Sequence, residues 1–248
     1  MATQSAAASP RSTAILPQIA QEAVDLLDLK AAGRTIRPGQ EIVSEGKRCT
    51  SVFLITEGIA IRYRLLRNGQ RQILDFVLPG DFAGGRSCFF ETAPYSVKAL
   101  VQTVISPIPL PKLIGLFDSH PRLAAKLFRV FACEAAILAE HLISVGRRSA
   151  LERVAHFLLE LLTRLQVLGL AGERSYRLPL TQETISDALG LSIPYVNRVL
   201  QQLRRDGLVT IKDQLVVIEK IEELSVLADF ENNYLKPLSL AELLTEPG

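Results

Sequence analysis

LTQETISDALGLSIPYVNRVLQQLRRDGLVTIKDQLVVI, residues 180–218, holds the densest run of local structural signals in the chain. Thr181 precedes an apolar-periodic segment with Glu183 in its first turn, the arrangement of a helix N-cap, and Gly190 ends that helix. Leu191 and Ser192 make a tight turn. Ser192 caps a second helix, Pro194 falls in its first turn, where a missing N–H is harmless, and Gly207 closes it after Asp206. Two short helices joined by a short turn are helix-turn-helix geometry. Leu208 to Ile211 and Leu215 to Ile218, around Lys212-Asp213-Gln214, read as a small β hairpin, a wing.

On the second helix Val196, Val199, Leu200 and Leu203 mark a buried side, while Pro194, Asn197, Arg198 and Gln201 share another face. An α-helix fits the major groove of B-DNA. There a guanidinium pairs bidentately with guanine and a carboxamide with adenine, so Arg198 and Asn197 are the side chains suited to reading bases. Thr181, Gln182, Ser192, Tyr195 and Lys212, around the two helix N-termini and the wing, are the expected phosphate contacts, which position the helix without reading sequence. Arg204 and Arg205 add positive charge to the same module.

Upstream, the long stretch from His120 to Val145 has helical period, with Leu123, Leu127, Val130, Ile137, Leu138, Leu142 and Val145 forming a broad apolar stripe. Such a stripe can dock on a neighbouring domain, but between two modules it also suits pairing with a second copy, and Leu127, Val130, Leu138 and His141 are the expected dimer residues. Gly146-Arg147-Arg148 is expected to break it before a second amphipathic helix, LERVAHFLLELLTRL. Earlier still, between Ile42 and Ile108, short β-branched runs alternate with turns at Glu57-Gly58, Asn68-Gly69 and Pro79-Gly80-Asp81, which predicts an all-β barrel or roll. Asn68-Gly69 suits a type I′ hairpin, whose two central residues need positive φ. A helical pattern over Leu16 to Leu29 precedes the strands.

At 248 residues and 27.3 kDa the chain has room for two modules and a connector. Hydrophobic residues make up 48% and charged ones 22%, enough apolar side chain for real cores. The longest stretch without Asp, Glu, Lys or Arg is 99–111, too short to span a bilayer, and MATQSAAASPRSTA lacks the apolar block of a secretory signal, so a cytoplasmic protein with no membrane partner is expected. Cys49, Cys88 and Cys133 are odd in number with no CxxC pair, which speaks against a disulfide framework or a cysteine metal cluster. Cys133, within the helical stretch, is the candidate for a redox role, against the plainer role of a small hydrophobe. A net charge of +2 neither requires nor forbids a nucleic-acid partner.

The segment 180–218 resembles the winged helix-turn-helix of the CRP/FNR family of bacterial transcription regulators, with Arg198 at the place of that family's recognition-helix arginine. LITEGIAIRYRL (54–65) and LPGDFAGG (78–85), followed by a long helix, are similar to its cyclic-nucleotide-binding-type β-roll and dimerisation helix. The resemblance spans about residues 16–230. It implies an α+β protein: a flexible arm (1–15), an N-terminal antiparallel, jelly-roll-like β-roll of effector type (16–118), a long dimerisation helix (119–146), a C-terminal winged helix-turn-helix (147–230) and a tail (231–248). It further implies a homodimer on an inverted repeat in double-stranded DNA, acting through RNA polymerase, with Pro194, Asn197 and Arg198 at the base-reading positions. Proline at 194 and asparagine at 197 depart from the family pattern, so a target sequence other than the family's usual ones is expected.

In relatives that bind cAMP, a Gly-Glu-Leu turn holds the ribose and an Arg-Ser-Ala segment the phosphate. The matching positions here are Gly84-Gly85-Arg86 and Tyr95-Ser96-Val97, and the polar pair that meets adenine is matched by Leu138 and Ala139. A cyclic phosphate buried without its cation loses its strongest hydrogen bonds, so the pocket is degenerate and cAMP is not the expected effector, although another small molecule or a redox signal can still act through the roll. No cofactor and no metal site is expected. A cupin-like enzyme would need clustered histidines on inward strands, and 42–108 contains none; a protein-binding adaptor that has kept the fold without DNA binding is the remaining alternative.

Overall fold

The computed structural model describes residues 33–236, so the expected arm at 1–15, the helical pattern over Leu16 to Leu29 and the tail beyond 236 lie outside the described residues. The first eight strands are β1 Arg34–Ile36, β2 Glu41–Val43, β3 Ser51–Glu57, β4 Ala60–Leu65, β5 Arg71–Val77, β6 Phe82–Ala83, β7 Ser96–Ala99 and β8 Thr103–Pro109. They form two four-stranded antiparallel sheets, ordered β1-β8-β3-β6 and β2-β7-β4-β5. Val52, Leu54, Ala60, Val77, Phe82, Val97 and Ile108 fill the space between them. This is the anticipated roll.

The turn at Asn68-Gly69 differs from expectation. Leu66 N donates to Gln70 O and Gly69 N to Leu66 O, and only Gly69 has positive φ, at 83°. The loop is therefore a three-residue connection with glycine at its left-handed position, and Asn68 instead accepts from Gln70 N through its side chain. Two consecutive positive φ values occur in the wing, at Asp213 (48°) and Gln214 (64°), where Lys212 faces Leu215 directly and leaves two residues to reverse the chain.

Helix α1 (Leu110–Ser119) caps the roll and was not anticipated; His120 then breaks the chain, because a residue before proline avoids helical geometry. Helix α2 (Pro121–Arg147) starts at that proline and runs through Gly146, past the expected break. Arg148 is extended, and a capping box opens α3 (Ala150–Val167): Ser149 N donates to Glu152 and Glu152 N to the Ser149 hydroxyl.

The last module comprises β9 (Ser175–Arg177), α4 (Gln182–Leu189), α5 (Ile193–Arg205), β10 (Val209–Lys212), β11 (Leu215–Ile218) and α6 (Ile221–Ala228). The wing is a three-stranded sheet, β10-β11-β9, rather than a hairpin alone. Val154, Leu158, Leu161 and Leu165 of α3 bury against Ile185, Val196, Leu203, Val216 and Leu224, each such side chain contributing about 1.5–3 kcal/mol of burial. The same cluster runs on to Ile59, Ile61, Ile73, Phe76 and Leu78 on the outer face of the β4–β5 hairpin, with Phe76 and Phe157 rings 5.4 Å apart. Alternation explains the double use: Ala60 and Val77 point into the roll while Ile61 and Phe76 point out to the second module.

Candidate nucleic-acid interface

Helix α4 begins where expected. The Thr181 hydroxyl accepts from Thr184 N at 3.0 Å and lies 2.8 Å from the Thr184 hydroxyl. Gly190 ends the helix in the left-handed region (φ 63°), and the Ser186 hydroxyl donates to Leu191 O, closing the turn. Ser192 occupies the N-cap position of α5, yet only its carbonyl is used, accepting from Tyr195 N and Val196 N; its exposed hydroxyl makes no capping bond. Gly207 follows Asp206 with φ 65°.

Val196, Val199 and Leu203 turn α5 inward and Leu200 is half-buried. Pro194, Tyr195, Arg198 and Gln201 are exposed and Asn197 is half-buried, so the face anticipated for base reading stands clear of the core. The Arg198 guanidinium lies 5.4 Å from the Tyr195 ring centroid, a cation–π contact that preorders the side chain without using its N–H donors. Thr181, Gln182 and Lys212 are exposed, Lys212 at the end of β10. Of these, Thr181 already spends its oxygen on the cap.

Helix α4 is also tied to the roll. Arg71 of β5 reaches Asp187 at 2.6 Å and Glu183 at 3.4 Å, and Gln72 donates to Ala188 O. The sequence held no sign of these contacts, which join residues more than a hundred positions apart.

The long helix corrects two expectations. Leu127 and Val130 are buried against the chain's own roll, and His141 faces α3, its Nε2 3.0 Å from Glu160 Oε1 and its Nδ1 3.2 Å from Leu74 O. Leu127 and Val130 are therefore not available to a seam between copies, while His141 and Leu138 are half-buried. What α2 exposes instead is Ala125, Phe128, Ala132, Ala135, Ala139 and Leu142, at alternating three- and four-residue steps, with Phe128 71% and Leu142 74% exposed. A helical period in the sequence shows that a stripe exists, but not which flank the roll takes.

The degenerate effector pocket is filled from within. A side chain at Gly85 would start 2.7 Å from the Phe131 ring of α2, so a glutamate at this place requires that ring to move. Arg86 donates to Glu134 of α2 at 2.7 Å. Arg62, missed in the sequence, is fully buried: it reaches Asp75 and Phe82 O at 3.3 Å each, stands 3.7 Å from Glu134 and lies over the Tyr95 ring. Its phase was legible, since Arg62 shares the inward face of β4 with Ala60 and pairs across β5 with Asp75. Ser96 is buried at the start of β7 and gives its hydroxyl to Glu45 N as acceptor; Ala139 is exposed on α2. Gly84 packs against Cys49 in a left-handed turn.

Beyond Arg62 the buried charges continue into the second module. Arg164 of α3 meets Asp75 at 3.1 Å and Asp81 at 3.2 Å and donates to Phe76 O at 2.7 Å. Burial pushes the Asp81 carboxyl up to about 7, against the pull of Arg164. Burial would raise Glu160 too, but the His141 charge, with Arg164 and the Tyr234 hydroxyl, brings it down to about 2. His141 is conversely held at about 9 by Glu160 in spite of its burial, whereas burial and Arg148 press His156 down to about 4.

A helix with Arg198 and Gln201 exposed and Asn197 half-buried on one face, a preceding capped helix and a β wing, carried on a β-roll, define a winged helix-turn-helix regulator. Residues 33–120 match the family model of the cyclic nucleotide-binding domain and 152–227 that of the Crp-like helix-turn-helix domain. The nitrogen fixation regulation protein FixK of Bradyrhizobium diazoefficiens is 33% identical over 196 residues, covering 77% of this chain and 80% of its own. The transcriptional activator protein anr of Pseudomonas aeruginosa is 29% identical over 208 residues, 84% and 85% of the two chains. The solved structure of FixK2 from Bradyrhizobium japonicum is similar with a TM-score of 0.71 at 30% identity, covering 79% of this chain and 96% of that one. The chain belongs to the CRP/FNR family: it is a DNA-binding transcription regulator and not an enzyme.

Proposed function

We propose that the protein works in the cytoplasm as a homodimer on an inverted repeat, that α5 reads bases through Pro194, Asn197 and Arg198, and that the bound dimer acts on RNA polymerase without cAMP. The observation that carries the dimer is the exposed apolar stripe of α2 from Ala125 to Leu142. Its three- and four-residue steps are those of a coiled-coil seam, and its small alanines let two backbones approach. A twofold axis along that seam presents two identical copies of α5 to successive major grooves, about 34 Å apart. Gln182, Ser192, Tyr195 and Lys212 surround the reading face as phosphate donors, Ser192 with its hydroxyl unspent; Thr181 contributes through its backbone position. The absence of a glutamate at Gly85, whose position the Phe131 ring now crowds, and the pairing of Arg86 with Glu134 argue against cAMP.

Sedimentation equilibrium of Phe128→Glu and Leu142→Glu tests the seam. The expected result is a folded monomer that has lost specific DNA binding. A variant that stays dimeric at micromolar concentration, or that is monomeric and still protects a full symmetric site, overturns it.

A further inference from the structure

We propose that Cys49 and Cys88 form a dithiol that hydroperoxides oxidise to an intrachain disulfide, bridging the loop before β3 to the turn after β6. The two sulfurs are 2.9 Å apart, although 39 residues separate them in sequence. Both point at one backbone oxygen, Ser51 O, at 3.3 and 3.2 Å. A disulfide bond is about 2.05 Å long, so closing it asks the sulfurs to approach by roughly 0.9 Å. Both cysteines are buried, at 9% and 7% exposure, but they form the floor of an open cleft lined also by Arg48, Thr50, Phe90, Glu91, Leu110 and Pro111, through which a small peroxide can approach.

The pair is chemically asymmetric. The hydrogen bond from Cys88 draws the Cys49 thiol down to about 7 against its burial, while the same bond holds the Cys88 proton more firmly. We assign Cys49 as the attacking sulfur and Cys88 as the one that resolves it, an order the Cys88→Ser variant below tests. The Cys49 thiolate attacks a peroxide oxygen, the O–O bond breaks, and the departing oxygen leaves as water (or an alcohol) after taking a proton, giving Cys49 sulfenic acid. Cys88 sulfur then attacks Cys49 sulfur: the S–S bond forms, the S–O bond breaks, and hydroxide leaves with the Cys88 proton as a second water. Two thiols lose two electrons and two protons, and the peroxide is reduced. Cys133, half-buried on α2 and pushed up by burial, takes no part.

The turn so clamped is the one that touches the long helix. It carries Gly85 against Phe131 and Arg86 on Glu134, so the oxidation state of Cys49 and Cys88 is set at the joint between roll and dimer helix.

The test uses the full chain, reduced and freed of reductant. It is exposed to hydrogen peroxide at neutral pH, alkylated, and digested with trypsin without reduction. The expected result is loss of two of the three thiols, one cross-linked pair of peptides spanning 49–62 and 87–98 and lighter by two hydrogens, an alkylated Cys133, and return of the free thiols on adding dithiothreitol. In Cys88→Ser the same treatment should leave Cys49 trappable by dimedone as sulfenic acid. If Cys49 and Cys88 of the wild-type chain both stay alkylatable after peroxide, if Cys49 goes to sulfinic acid without a cross-link, or if the link involves Cys133, the proposal is wrong. None of these outcomes depends on DNA binding.

Discussion

His141→Gln isolates the ion pair that ties α2 to α3. The imidazole is 3.0 Å from Glu160 Oε1, and although burial opposes its charge, Glu160 holds its pKa at about 9 against an ordinary 6.5. A proton bound more tightly in the folded than in the unfolded chain stabilises the fold fully below the unfolded value, and that contribution disappears as pH rises through the folded one. The relevant window therefore runs from about 6.5 to about 9. At roughly 1.4 kcal/mol per unit the shift corresponds to about 3 kcal/mol, and screening at a side chain 28% exposed lowers it to about 2 kcal/mol. The fall of Glu160 to about 2 describes the same attraction from the other partner and is not added. Urea unfolding of wild type and His141→Gln at one protein concentration, at about pH 6 and about pH 10, measures it, because the difference between the two proteins removes the titrating groups not coupled to His141. The variant should be about 2 kcal/mol less stable at the lower pH, with most of that gap gone at the higher. An equal gap at both pH values refutes the reasoning.

Leu127→Glu and Phe128→Glu, adjacent in sequence, should fail differently: the first puts a charge where the side chain is 4% exposed and costs about 3–5 kcal/mol of folding stability by denaturant titration, the second unfolds within about 1 kcal/mol of the other monomeric seam variant, Leu142→Glu. Lys212→Ala should weaken binding to all duplexes alike and flatten the salt dependence of affinity by about one phosphate contact, measured by anisotropy at several salt concentrations. Calorimetric titration with millimolar cAMP should give no saturable heat in the wild type. The double variant Gly85→Glu, Tyr95→Arg should stay equally silent, because Leu138 and Ala139 still offer the base no hydrogen bond and the new glutamate has to displace the Phe131 ring; micromolar binding in either protein would contradict this reading of the pocket.

The second module was legible because its signals are local. Thr181, Gly190 and Gly207 do at the helix ends what N-cap and left-handed positions require, whatever surrounds them. Turn chemistry was less decisive: Asn-Gly permits a two-residue reversal but does not compel one, and the hairpin between β4 and β5 has a bulge between Arg62 and Tyr63 and a longer loop. Asp213-Gln214 reverses in two residues because the Lys212–Leu215 pairing leaves no more. What stayed hidden was pairing across long sequence separations. Arg62 with Glu134, Arg71 with Asp187, Arg164 with Asp75 and Cys49 with Cys88 exist only once the roll and the helices are packed. Arg62 alone left a trace, an arginine in phase with inward-facing Ala60 on its strand.

Selection of bound sequences from random duplexes, run side by side with the wild type and Arg198→Ala, tests the central claim most directly. The account predicts that the wild type enriches an inverted repeat with half-site centres about one helical turn apart, and that Arg198→Ala relaxes one position in each half-site while losing about 1–3 kcal/mol of affinity. Enrichment of no symmetric motif, or of an unchanged motif by Arg198→Ala, would contradict it.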